Sequence, residues 1–275
     1  MGKRWRSIIL YTILIGYGII TTFPFLWAVS GSFKTYQELT SGGLNLIPQN
    51  FTTAAYRQLF TRSDLFLRWI FNSFAIGIIG TFINVILNSM AGYALARVKF
   101  KGRNAIFYLL LAMIMVPGQV LIIPNYLIIS RLGLINSYSA VILPAAINVT
   151  FIFMMRQFFV NFPKSLEEAA SIDGLGRLGI YFRIVFPLAK PALATQSIFI
   201  FMGFWNEFLR PKLYLRDPSQ YTLTVGIQTM MAQYGPITQW DLVLTASVIS
   251  IIPIIIMYIV LNKYFIQGVN INIEK

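Results

Sequence analysis

The sequence predicts an all-α integral membrane protein with six transmembrane helices, and three observations carry that prediction. First, 57% of the 275 residues are hydrophobic and only 11% are charged, whereas a soluble domain carries about 25% charge. Second, apolar runs of about 20 residues, enough at 1.5 Å each to cross a ~30 Å hydrocarbon core, recur six times. Third, the basic residues sort by side. Fourteen of the 22 flank the runs on the side of the N-terminus, with Lys99, Lys101 and Arg103 crowded into one short loop, and eight fall on the other side. The positive-inside rule then predicts cytoplasmic N- and C-termini and a multi-pass protein. Residues 1–275 read as a single transmembrane domain.

Taken in order, Lys3, Arg4 and Arg6 precede the first span, at about 8–29. A signal peptide is the competing reading, but its apolar core would be about 7–15 residues, shorter than this run, and more spans follow. Residues 31–67 are polar and turn-rich, with Gly31, Gly42, Gly43 and Pro48, and predict an outside loop with short interfacial helices at most. The remaining spans fall at about 69–96, 104–129, 138–159, 192–215 and 242–265. Pro117-Gly118 and Pro124 interrupt the pattern of the third. A second outside loop holds Asp217, Pro218, Gly235 and Pro236, and the tail runs from Ile266 to Lys275.

The longest polar interruption in the second half is 163–191, PKSLEEAASIDGLGRLGIYFRIVFPLAKP, on the cytoplasmic side. Ser165 and Glu168 have capping-box spacing, predicting a helix from Leu166 to Ile172 capped by Ser165. Gly174 predicts its end, because glycine takes the left-handed conformation at low cost. A second short helix is predicted from Arg177 to Val185, stopped by Pro187 and Pro191. Two short helices between spans suit a docking surface for another protein; an amphipathic loop lying on lipid headgroups is the alternative.

Composition excludes several functions. The chain has no His and no Cys, which removes thiol chemistry, disulfides and the common zinc sites. No nucleophile is paired with a base and no carboxylates cluster for a metal, so no catalytic site is predicted. Glu167 and Glu168 are adjacent on a helix and point in different directions; favourable interaction with the helix dipole suffices to explain Glu167. An excess of 22 basic over 9 acidic residues can signal nucleic-acid binding, but here the basic residues flank apolar spans, and no nucleic-acid partner is predicted. Gly174, Gly176 and Gly179 fit G-x-G-x-x-G, yet no strand precedes them, so a dinucleotide site is rejected. There is no Gly-x-x-x-x-Gly-Lys-Ser/Thr, so any ATP-driven function needs a separate chain.

The 163–191 stretch resembles the EAA loop of type I ABC importer permeases. Glu168, Ala169, Ala170, Gly174, Ile184 and Pro187 match its pattern, and Asp173 and Pro191 fit the form seen in sugar importers. Leu175 stands where Ala is usual and Phe186 where Leu is usual. The resemblance extends over nearly the whole chain and is closest to the maltose-type carbohydrate permeases. It covers Ser32-Phe33-Lys34, Gly92-Tyr93-Ala94-Leu95-Ala96-Arg97, Met115-Val116-Pro117-Gly118-Gln119, Arg156-Gln157-Phe158 and Trp205-Asn206-Glu207-Phe208. It implies that the 163–191 loop carries a coupling helix seated in a cleft of an ATPase subunit. Further implied partners are a second homologous permease, two ATPase subunits that bind ATP and Mg, and an extracytoplasmic sugar-binding protein, all at a bacterial or archaeal cytoplasmic membrane. No cofactor is implied for this chain. A permease for a non-sugar solute, a stand-alone secondary transporter and a membrane scaffold are the competing readings. A secondary transporter would need inverted repeats and ionisable relays, and only Glu207 stands out.

Polar residues within spans are the remaining candidates. Asn84, Asn88, Asn125, Asn148 and Gln119 suit hydrogen bonding between helices, at about 0.6 kcal/mol each, and Asn125 and Gln119 are also candidates for a substrate path. Glu207 lies roughly 22 Å along the fifth span, where an ionisable side chain is costly and usually meets a cavity or a partner. Two roles stay open for it: a substrate path shared with Trp205 and Asn206, in which the Trp205 ring lies at the edge of the path, or a local ion pair with Arg210.

Overall fold

The computed structural model describes residues 2–42, 45–61, 64–233 and 238–270. Gly43, Gly235, Pro236 and the end of the predicted tail, 271–275, lie outside them. Every regular element among the described residues is helical. Three helices are long and apolar enough to cross a membrane, within Arg4–Gly31, Leu65–Arg97 and Trp240–Val260, and three bent helix pairs bring the number of candidate crossings to six. The chain divides into two compact units, residues 1–67 with 226–253, and residues 68–225 with 254–275.

In the first unit, α1 (Gly2–Gly31) is apolar around its whole circumference, the pattern of a helix meant for lipid. The loop after it is tightly built. Lys34 is buried, donates to the carbonyl of Asn45, and lies 4.0 Å from Glu38. Glu38, in α2 (Tyr36–Thr40), accepts the N–H groups of Gln49 at 2.9 Å and Asn50 at 3.2 Å. The Phe33 ring stacks on Phe51 and on Tyr56, the latter in α3 (Ala54–Thr61). Residues 31–67 thus hold short helices, with one buried lysine and one aromatic stack fixing the loop.

The second unit is arranged on α4 (Asp64–Arg97), 39% of whose apolar window is buried, against none for α1. The elements packed on α4 are broken. The predicted third span is α5 (Arg103–Ile114), a 3₁₀ turn (Gly118–Leu121) and α6 (Ile122–Arg131), with the two halves bent by 93°. Pro117 supplies no N–H and holds an extended conformation there, so the α-helical ladder cannot pass through it. Pro124 falls in the first turn of α6, where a missing N–H costs little. The predicted fourth span is α7 (Tyr138–Ile142) with a 3₁₀ turn (Leu143–Ala145), then α8 (Val149–Val160), bent by 47°.

Such breaks free backbone groups, and in an apolar medium each must find a partner inside the protein. Asn84 and Asn88 of α4 supply them. Asn84 Nδ2 donates to the Ala145 carbonyl at 2.6 Å, Asn88 Nδ2 to the Ala146 carbonyl at 3.3 Å, and Asn88 Oδ1 accepts the Asn148 N–H at 2.9 Å. Asn148 in turn caps α8 by accepting the Thr150 N–H at 2.9 Å. Toward the other end of α4, Trp69 Nε1 donates to the Pro218 carbonyl, Asn72 Nδ2 to those of Ser219 and Tyr221, and Ser73 Oγ accepts the Leu223 N–H at 2.7 Å. Gly92 lets α8 reach the α4 backbone, since a Cβ there would lie 2.9 Å from Arg156 N and 3.0 Å from Ile152 O.

Two predicted boundaries change. The fifth span does not run to Leu215. It is α12 (Lys190–Asn206), followed by an extended Glu207 and a separate α13 (Leu209–Tyr214). After α14 (Leu223–Gln233), the last helix, α15 (Trp240–Asn270), includes the predicted sixth span and continues past Phe265 into the predicted tail.

Asn88→Ala should cost about 2 kcal/mol, because it leaves the Asn148 N–H and the Ala146 carbonyl without partners in an apolar interior. A clearly lower thermal unfolding midpoint in detergent checks this. Asn125→Ala, at a half-exposed position, should stay within about 0.5 kcal/mol of the parent.

Candidate functional site

The 163–191 segment forms α9 (Lys164–Ile172), α10 (Arg177–Ile180), a π turn (Tyr181–Val185) and α11 (Phe186–Leu188). The predicted capping box is not formed. Pro163 is the extended residue ahead of the helix, no side chain caps it, and Ser165 lies inside the first turn. A proline fits there because its fixed φ suits the entry to a helix. The C-terminus agrees with expectation. Gly174 has φ +82, its N–H reaches Ser171 O, and the Leu175 N–H reaches Ala170 O at 3.0 Å, a Schellman closure.

Nor does Pro187 stop the second helix at Val185. The chain widens into the π turn, with the Phe186 N–H reaching the Tyr181 carbonyl. The extra residue in that turn relieves the clash that a proline ring makes with the carbonyl four residues earlier. Pro187 then occupies the first turn of α11 and Pro191 the first turn of α12, after an 80° bend.

Helix α9 has two faces. Ala170 is 4% exposed and belongs to the core, whereas Ile172 is 86% exposed, and Glu168 and Ala169 are exposed beside it. Asp173 and Gly174 are exposed at its end, Ile184 is half-buried against the core and Pro187 is exposed. On the inward face, Glu167 Oε1 pairs with Arg97 Nε at 2.9 Å, and Oε2 accepts from the Tyr93 hydroxyl at 3.2 Å. Arg97 also donates to the Phe162 carbonyl, and the Ser89 and Tyr181 hydroxyls are 2.7 Å apart. Sequence reasoning had left Glu167 to the helix dipole. The available signal was scarcity: with 9 acidic residues against 22 basic ones, an acid at the start of a helix is a candidate partner for an Arg at the end of a span.

The structure separates the other predicted site residues. Trp205, predicted at the edge of a path, is buried within this chain. It is 2% exposed and packs against Phe74 at 4.9 Å and Phe201 at 5.6 Å, because helix rotation turns its indole into the core. Asn206 is exposed and ends α12. The Glu207 carboxylate accepts the Leu209 N–H at 3.1 Å, the Arg210 N–H at 3.3 Å and Arg210 Nε at 2.9 Å, so it caps α13 and closes the local ion pair. Gln119 is exposed in the 3₁₀ turn of the third span. Asn125 lines an open depression of about 210 Å³ with Ile128, Leu132, Leu143 and Pro144. Among the described residues no group of three His, Asp or Glu could hold a metal ion.

Residues 89–271 match the binding-protein-dependent transport system inner membrane component. The chain belongs to this family. The permease is 37% identical to the arabinooligosaccharides transport system permease protein AraQ of Halalkalibacterium halodurans, over 98% of both chains. It is 34% identical to the polygalacturonan/rhamnogalacturonan transport system permease protein YtcP of Bacillus subtilis, over 98% of this chain and 97% of that protein. Among solved structures it superposes on a chain of a bacterial ABC transporter involved in the import of the acidic polysaccharide alginate, with a TM-score of 0.87 at 26% identity, over 96% of this chain and 98% of the other. The permease therefore has the all-α fold of type I ABC importer permeases.

Two substitution sets test the site. Gly174→Val should cost about 1–2 kcal/mol, since a β-branched residue is strained at positive φ, while Gly176→Val, at φ −69 with open space around it, should cost little. Thermal midpoints in detergent decide between them. For the α12–α13 turn, Glu207→Gln and Arg210→Gln should each lower the midpoint, and a double-mutant cycle should return a coupling of about 0.5–1 kcal/mol.

Proposed function

We propose that this permease is the transmembrane subunit of an ATP-driven importer of oligosaccharides, forming half of the translocation path beside a second homologous permease. The observation that carries the reading is the outward face of α9. Glu168, Ala169 and Ile172 stand exposed on a helix whose opposite face is fixed in the core and whose end is closed at Gly174. A small, rigid helix of this kind suits a cleft on a partner. We assign Glu168, Ala169, Asp173 and Gly174 to contact with an ATPase subunit or to the shape of that contact, and Ala170, Ile184 and Pro187 to its support. ATP and Mg are bound by two such ATPase subunits, in keeping with the absence of a P-loop motif here.

The substrate class follows the relatives, whose names specify oligosaccharides and polysaccharides. Asn206, Gln119 and Asn125 have the amide chemistry to exchange hydrogen bonds with sugar hydroxyls. Trp205 and Glu207 serve them indirectly, one anchoring α12 and the other shaping the turn that presents Asn206. An extracytoplasmic sugar-binding protein delivers the substrate, the protein resides in a bacterial cytoplasmic membrane in contact with its lipid, and the charge distribution supports cytoplasmic termini. Glu207, the acid that the sequence places within a span, is already paired to Arg210, which disfavours a proton relay of the kind a stand-alone transporter needs.

The chain has no Cys, so single cysteines report cleanly. Ala169→Cys and Ile172→Cys should cross-link to the copurified ATPase, whereas Ala170→Cys should be protected, because that position faces the core. No cross-link from any exposed α9 position, or robust ATP hydrolysis by the purified permease alone, would sink the reading.

A further inference from the structure

The last turn of α4 and the inward face of α9 are joined by side chains from both. Glu167 and Ala170 are three residues apart and so share one face of α9. Ala170 enters the core, and the Glu167 carboxylate is held at both oxygens, by Arg97 at 2.9 Å and by the Tyr93 hydroxyl at 3.2 Å. The Arg97 and Glu167 side chains are 7% and 18% exposed. Arg97 also binds the Phe162 carbonyl, just after α8 ends, so one guanidinium ties the end of α8, the start of α9 and the end of α4 together. Tyr93 packs edge-on against Phe159 at 5.6 Å and against Tyr181 at 5.3 Å, which keeps its hydroxyl aimed at Glu167.

We propose that Glu167 is the positioning residue of energy coupling: clamped by Arg97 and Tyr93, it makes α9 and α4 one moving body. This rests on the reading that α9 meets an ATPase. The outward face of α9 receives the displacement, and the inward face passes it to α4 through this clamp. Helix α4 then carries it to the groups it holds by hydrogen bonds, the break at 145–148 through Asn84 and Asn88 and the loop at 218–223 through Trp69, Asn72 and Ser73. The two adjacent acids thus divide the work, with Glu168 facing the partner and Glu167 facing α4. A clamp of this kind is strong because separating a largely buried ion pair strands both charges. Packed elements answer such a displacement by shifting between discrete arrangements, not by bending smoothly.

The test uses the complete transporter, purified with its ATPase, with spin labels at Phe71→Cys on α4 and Ser171→Cys on α9. Both positions are exposed. In the otherwise unsubstituted complex the label-to-label distance should be the same without nucleotide and when arrested with ATP and vanadate. With Glu167→Gln, a second distance should become roughly tenfold more populated in the arrested state than without nucleotide, while ATP hydrolysis continues near the parent rate. Tyr93→Phe, which removes one hydroxyl, should show the same change to a lesser degree and decides the matter if Glu167→Gln fails to assemble. A clamp that served stability alone would lower the thermal midpoint and leave the distances equal in both states, and that result overturns the proposal. If no ATPase copurifies with the unsubstituted chain, the transport-subunit reading falls and the proposal with it. An ATPase that does copurify, with distances unmoved by either variant, removes the clamp alone.

Discussion

An irregular backbone inside an apolar medium must have its polar groups met by the protein, and at the break in the fourth span α4 meets them. Water would satisfy a broken helix at a soluble surface at little cost. Within a bilayer an unpaired N–H or C=O costs several kcal/mol. The break at 145–148 exists because Asn84 and Asn88 lie one turn apart on α4, at a spacing that brings them to the freed groups, and Trp69, Asn72 and Ser73 near the other end of that helix bind the 218–223 loop. The polar residues of α4 are therefore a structural requirement of the bent fourth span.

The same helix ends at the 163–191 segment. Arg97 and Tyr93 hold Glu167, Ser89 meets Tyr181, and Gly92 admits the backbone of α8. The segment at 163–191 is thus presented by a firm support. Its own contribution is local chemistry: a glycine that closes α9 in the left-handed conformation and a π turn that accommodates Pro187 within a continuing helix. A short amphipathic helix of nine residues would be marginal alone in water. Here tertiary anchors on one face keep it formed, which leaves the other face free for a partner.

Much of this was legible from residues alone. The number and placement of apolar runs, the end of α9 at Gly174 and the bonding roles of Asn84, Asn88 and Asn148 follow from hydropathy, glycine stereochemistry and the cost of unpaired polar groups. What was not legible depended on direction and on distant partners. Residues 205 and 207 are two positions apart, yet one faces the core and the other an arginine, because α12 ends between them at Asn206. The capping box at Ser165 had the right spacing, but Pro163 starts the helix two residues sooner. Glu167 looked redundant beside Glu168 because its partners are about 70 residues earlier in the chain, and nothing local announces them.

The sequence by itself determined the membrane-spanning all-α class, the side preference of its charges, the exclusion of catalysis by His or Cys, and the position of the polar segment at 163–191. Each of these follows from composition, short-range stereochemistry or charge near a span, and those act without reference to the rest of the fold. Only the tertiary structure decided that the third span turns through 93°, that Trp205 and Ala170 are buried while Asn206 and Ile172 are not, and that Glu167 is the acid held by α4. Those outcomes depend on which face of a helix meets which neighbour, and in lipid that is settled by packing and by the demand for hydrogen-bond partners.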